Sequence, residues 1–127
     1  MIDTNVLLDW LLDRDARRTA IVERLFADSR ELHIPDMVII ELTFALENGY
    51  QLPRDIVVSN VTKVLDEPLF NCNRTMLQRA LVEYDKHPSL SFVDCCLMHY
   101  ASIQRVPVWT FDKRFVNQSS GKATLLK

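Results

Sequence analysis

Apolar and polar positions divide the chain into short apolar runs and longer amphipathic stretches. Met1-Ile2-Asp3 reads as the end of a strand, and Thr4 to Leu12 as a short helix. Asp15 is placed to cap a helix from about Ala16 to Ser29, in which Ile21, Leu25 and Phe26 recur at helical spacing. Leu32-His33-Ile34 is a strand candidate, stopped by Pro35. A helix follows from Asp36 through Asn48, with Val38, Leu42, Ala45 and Leu46 on one face and Gly49 as its C-terminal cap. Pro53 opens a helix to about Leu65, Leu69-Phe70 is a further strand candidate, and Asn73 caps a helix to about Asp85. Ser91 followed by Asp94 comes close to a capping box, so Ser91 to Gln104 reads as a helix. Val106 to Phe111 is the clearest strand. A helical turn over Lys113 to Val116 and a last strand at Thr124 to Leu126 end the chain.

Strands that alternate with helices predict an α/β fold, one domain over residues 1–127 with a mostly parallel sheet covered on both faces. Ligands in such sheets bind beyond the carboxyl ends of the strands. Composition narrows the chemistry. The chain is 48% hydrophobic and 25% charged, which excludes a disordered chain, a collagen-like chain and a disulfide scaffold. Gly49 and Gly121 are the only glycines, so no glycine-rich loop can cradle a phosphate, and nucleotide-dependent kinases, GTPases and Rossmann enzymes are disfavoured. The three cysteines, Cys72, Cys95 and Cys96, lack zinc spacing and point to reduced thiols in the cytoplasm. No apolar run approaches a membrane span, and no signal peptide is evident. The net charge of −2 gives no global positive field for nucleic acid.

Four carboxylates stand in apolar company. Asp3 ends Met-Ile-Asp, Glu41 lies within Met37 to Leu46, Asp94 within Phe92 to Met98, and Asp112 ends Val106 to Phe111. An ionised carboxylate near a core is costly unless it is paired or bound to metal. Asp3 and Asp112 fall at predicted strand ends, and Asp94 at a helix start, all at the ligand-binding edge of an α/β sheet. Converging carboxylates repel one another, a penalty that a divalent cation removes. Hard oxygen ligands without His or Cys suit Mg²⁺ or Mn²⁺, and such a site suits phosphodiester hydrolysis. Each aspartate also has a plain structural role open to it. Asp3 suits an N-cap, Asp94 completes the cap begun by Ser91, and Asp112 suits a turn or cap. Glu41, inside a helix, has no capping role.

At these residues the chain resembles the PIN-domain family, specifically the VapC-type toxins of type II toxin–antitoxin pairs. The matching stretches are Asp3-Thr4-Asn5-Val6-Leu7-Leu8-Asp9, Ile39 to Leu46, Leu90 to Asp94 and Trp109 to Phe115, in order and over nearly the whole chain. The resemblance implies a three-layer α/β/α fold with a mostly parallel central sheet. It also implies a Mg²⁺- or Mn²⁺-dependent endoribonuclease that leaves 5′-phosphate and 3′-hydroxyl ends. By position, Asp3, Glu41, Asp94 and Asp112 become the metal-binding acids. Thr110 becomes a residue that orients Asp112 or a metal-bound water. Asn5 becomes a residue supporting the metal ligands from behind, a turn or cap role being its alternative. The family also implies a homodimer and a cognate antitoxin that blocks the site. The family has several apolar residues before its first aspartate, whereas only Met1 and Ile2 precede Asp3 here.

Ten of the fifteen basic residues are arginine, suited to phosphate. Lys113 and Arg114 follow Asp112, and Arg14, Arg17 and Arg18 cluster after the first helix, both being RNA-contact candidates or solvated faces. Two competing readings remain. A haloacid-dehalogenase-like phosphatase wants a second aspartate where Asn5 stands. A non-catalytic PIN-like binding module would not need all four acids.

Overall fold

A computed structural model describes all residues, 1–127. The chain forms two compact units, Met1–Arg74 and Thr75–Lys127. The first unit holds helices α1 (Thr4–Leu12), α2 (Ala16–Asp28), α3 (Asp36–Phe44) and α4 (Arg54–Asp66), with strands β1 (Leu32–His33) and β2 (Phe70–Asn71). Helix α5 (Arg74–Lys86) begins at the boundary. The second unit continues through α6 (Phe92–Gln104), β3 (Val108–Thr110), α7 (Lys113–Gln118) and β4 (Ala123–Leu125).

Helices start at polar caps or just after prolines, Pro35 before α3 and Pro53 before α4. The Asp15 carboxylate accepts from the backbone N–H groups of Arg17 and Arg18, and Pro53 stands at the N-cap of α4. Behind these starts the buried stripes pack: Leu7 and Leu8 of α1, Val38, Ile39 and Leu42 of α3, and Val57, Val61, Val64 and Leu65 of α4 are all buried. Trp10, Phe26 and Phe70 meet edge to face with ring centroids 5.3–5.5 Å apart. In the second unit, Leu77, Ala80 and Tyr84 of α5 and Cys95, Cys96 and Met98 of α6 are buried. None of the three cysteines is in a disulfide.

Both strand pairs are parallel, as the alternation predicts: β1 with β2, and β3 with β4. They form two separate two-stranded sheets rather than one continuous sheet. Strands of two or three residues offer few ladder bonds with which to extend one. No strand forms at Met1-Ile2-Asp3. Ile2 instead makes one sheet-like bond, its N–H donating to the His33 carbonyl at 3.1 Å.

Two expectations for the helices need correction. Along α2, Ile21 and Leu25 are 56% and 42% exposed, while Thr19 and Val22 are buried and Phe26 packs on Trp10 and Phe70, so Phe26 alone of the predicted stripe faces inward. The helix beginning at Asp36 does not run as an α-helix to Asn48. It widens into a π turn at Ala45–Gly49, closed by the Tyr50 N–H on the Ala45 carbonyl at 2.9 Å. Gly49 is not a left-handed cap, and the left-handed residue is Gln51 at φ 53°. No helix is long and apolar enough to cross a membrane.

Candidate acidic site

The first unit carries Asp3 and Glu41, and the second carries Asp94 and Asp112. Three of the four take part in helix caps, Asp3 and Asp112 as N-cap residues and Asp94 from the first turn of α6. Asp3 is extended (φ −101°, ψ 178°) at the N-cap of α1, and its Oδ1 accepts from the Val6 N–H at 3.2 Å. Ser91 and Asp94 form a reciprocal capping box. The Asp94 N–H donates to Ser91 Oγ at 3.1 Å, and the Ser91 N–H donates to Asp94 Oδ2 at 3.2 Å. Asp112 caps α7, its Oδ1 accepting from the N–H groups of Arg114 at 2.9 Å and Phe115 at 3.3 Å.

The structural and chemical readings of these aspartates are therefore compatible. In each, one carboxylate oxygen caps a helix and the other has no hydrogen-bond partner within the chain. None of the four acids lies within ion-pair distance of a cation. Each cap also places its carboxylate at the positive end of a helix dipole, which favours the anion.

Glu41 differs. It is exposed, its carboxylate makes no hydrogen bond, and exposed Met37 and Phe44 flank it on the same side of α3. The opposite side of α3 is the buried one, so apolar neighbours in sequence do not put Glu41 in the core. The same holds for Asp3 and Asp112, which are exposed, while Asp94 is half-buried. Hard, unpaired carboxylate oxygens are donors that Mg²⁺ or Mn²⁺ accepts. The side chains are not gathered into a ready cluster, since no three His, Cys, Asp or Glu residues come together as a metal-binding group.

The supporting residues are placed as follows. Thr110 ends β3, and its Oγ1 accepts from the Asp112 N–H at 2.9 Å, which steadies the backbone that presents Asp112. Lys113 and Arg114, in the first turn of α7, are exposed with no side-chain partner. The Arg14–Arg17–Arg18 cluster is not uniform. Arg17 is exposed, whereas Arg14 and Arg18 pair with Asp9 at 2.8 and 3.1 Å. Trp10 is occupied by its aromatic contacts and by Lys63, 4.6 Å above its ring, while Trp109 is 60% exposed.

Asp9 is the acid that sequence reading passes over. It is 5% exposed, and the Arg14 hydrogen bond holds its carboxyl below the usual carboxylate range against the opposing effect of burial. A signal for it exists in the sequence. Asp9 continues the buried stripe of Thr4, Leu7 and Leu8, and three arginines, Arg14, Arg17 and Arg18, follow within the next nine residues.

A family model described as PIN domain matches residues 1–119. The VapC ribonuclease of Aquifex aeolicus (strain VF5) is 33% identical over 99 residues, a stretch covering 75% of this chain and 73% of that relative. No solved structure matches the chain. The chain therefore belongs to the PIN-domain family and is of the VapC type.

Proposed function

We propose that this chain is a divalent-metal-dependent endoribonuclease acting as the toxin of a toxin–antitoxin pair in the cytoplasm. One observation carries the metal part of the reading. Three aspartates on three different elements each spend one oxygen on a helix cap and keep the other unpaired, and Glu41 is wholly unpaired. The similarity to a VapC ribonuclease supports RNA as the substrate. The PIN match spans both compact units, which supports one working domain over 1–127 in a three-layer α/β/α arrangement.

In this reading Asp3, Glu41, Asp94 and Asp112 hold Mg²⁺ or Mn²⁺. An ion held there would supply Lewis acidity for phosphodiester hydrolysis, and the expected products are 5′-phosphate and 3′-hydroxyl ends. The three caps keep the aspartates from turning away, because each side chain is tied to its own helix start. Thr110 restrains Asp112 through its backbone N–H. Lys113, Arg114 and Arg17 are free to meet the RNA backbone, where Arg and Lys neutralise phosphate charge. Exposed Phe44, Tyr50 and Ile56 offer apolar area for an antitoxin or for a second copy in a homodimer.

The test is cleavage of a structured RNA with Mg²⁺ or Mn²⁺, with and without chelator, beside Asp3→Asn and Asp94→Asn, with the ends of the fragments analysed. Cleavage that stops with chelator and in both variants supports the reading. Cleavage that survives chelation or either substitution overturns it.

A further inference from the structure

The network around buried Asp9 carries an inference that rests on the ribonuclease reading and deepens it. Arg14 Nε donates to Asp9 Oδ1 at 2.8 Å, and Arg18 adds Nε to Oδ2 at 3.1 Å and Nη2 to Oδ1 at 3.2 Å. A guanidinium is planar, so fixing Nε fixes the directions of both terminal nitrogens. Arg14 Nη1 donates to the Tyr50 hydroxyl at 3.1 Å. Arg14 Nη2 donates to the Asn5 backbone carbonyl at 3.1 Å and to Asn5 Oδ1 at 3.4 Å. Tyr50 follows the π turn that ends the Glu41 helix, and Asn5 lies in the first turn of α1, two residues after Asp3. The guanidinium thus bridges the elements that carry both acids of the first unit.

The chemistry of the Asn5 amide gives the bridge a direction. An amide has an acceptor at one end and a donor at the other, while a guanidinium has donors only. Arg14 therefore holds the carbonyl oxygen of Asn5 toward itself, because the reversed amide would set donor against donor. Asn5 Nδ2 makes no hydrogen bond within the chain. We propose that Arg14 is a positioning residue that presents Asn5 Nδ2, beside Asp3, as a hydrogen-bond donor to an anionic oxygen of the RNA phosphodiester. Held this way, Asn5 is a substrate contact rather than a metal ligand, and Arg14 itself is not an RNA contact.

A double-mutant cycle on RNA binding tests this. Affinity for a short fluorescein-labelled oligoribonucleotide is measured by anisotropy for wild type, Asn5→Ala, Arg14→Lys and the double variant. Ca²⁺ replaces Mg²⁺, and the RNA is checked on a gel to be uncut. Asn5→Ala should weaken binding by about tenfold, the loss of one hydrogen bond to a charged group. Arg14→Lys should weaken it by about threefold to tenfold in the wild-type background, and by less than about twofold when Asn5 is already Ala. Equal losses in the two backgrounds would mean that Arg14 acts on the fold or touches RNA itself, and would overturn the proposal. Should Arg14→Lys not fold, the wild-type protein decides by NMR. The Asn5 side-chain amide resonances, assigned by their loss in Asn5→Ala, should shift as RNA saturates, and unmoved resonances would overturn it. If wild type neither binds nor cuts RNA, the ribonuclease reading falls and takes this inference with it. If it does both and the cycle is additive, only the inference falls.

Discussion

Replacing Asp9 by Ala removes the one buried anionic partner of two arginines, and the structure sets the size of the effect. The Asp9 side chain is 7% exposed, and its partners Arg14 and Arg18 are 23% and 56% exposed. A buried hydrogen bond between charged groups contributes about 1.5–3 kcal/mol, which is the Arg14 share. Arg18 is more than half in water, where screening leaves such a pair about 0–1 kcal/mol. Asp9→Ala should therefore cost about 2–4 kcal/mol. For a chain of this length that lowers Tm by roughly 8–16 °C in a thermal melt followed by circular dichroism. The pH dependence supplies an independent check. Because the folded carboxyl titrates below its ordinary value of 3.8, the Asp9 contribution is fully present above that value and is lost as pH falls through the lower folded one. The gap between wild type and Asp9→Ala should hold steady down to about pH 5 and close in stronger acid. A variant within about 1 kcal/mol of wild type near neutral pH, or a gap that persists in acid, would refute the assignment of Asp9 as a buried anionic anchor.

Neighbours on α3 should separate stability from activity. Glu41→Gln, at an exposed position, should change stability by less than about 0.5 kcal/mol while abolishing metal-dependent cleavage. Leu42→Ala, fully buried one residue away, should cost about 2–5 kcal/mol in denaturant titration. Ser91→Ala breaks the capping box before α6 and should cost about 1 kcal/mol, read as a lowered urea midpoint. Burial, helped by nearby Lys122, pushes the His99 pKa below its ordinary 6.5, and its buried Nε2 has no hydrogen-bond partner. A His held neutral in this way makes the fold lose stability as pH falls below 6.5. His99→Gln should flatten that slope in melts compared between pH 7.5 and pH 5.5.

What the sequence makes legible follows from how local each signal is. Cap residues act on backbone groups two or three positions away, so the starts of α1, α2 and α6 can be read from Asp3, Asp15 and Ser91, and that of α4 from the fixed φ of Pro53. The stripe of α2 is misread because Ile21 and Leu25 invite burial by their chemistry, whereas Thr19 and Val22 face inward, with the Thr19 hydroxyl donating to the Asp9 carbonyl at 3.2 Å. The π turn after Phe44 has no compositional mark. It shows only in the closure of Tyr50 onto Ala45. At the candidate site, the acids stand out by sequence context, but the inference from apolar neighbours to burial fails for Glu41, since one side of a helix can be exposed while its neighbours pack. Asp9 escapes notice for the opposite reason. Its partners lie across a turn, beyond the reach of helical spacing.

The central claim is that four carboxylates on separate elements act as one metal-dependent ribonuclease site. It is tested most directly by measuring Mn²⁺-supported cleavage of one RNA by wild type and by Asp3→Asn, Glu41→Gln, Asp94→Asn and Asp112→Asn, each shown by its melt to be folded. Wild type should cut and all four folded variants should lose at least about a hundredfold in rate, since the proposed reading gives each carboxylate a share in holding the metal. Folded variants that cut at the wild-type rate at any of the four positions would contradict the claim.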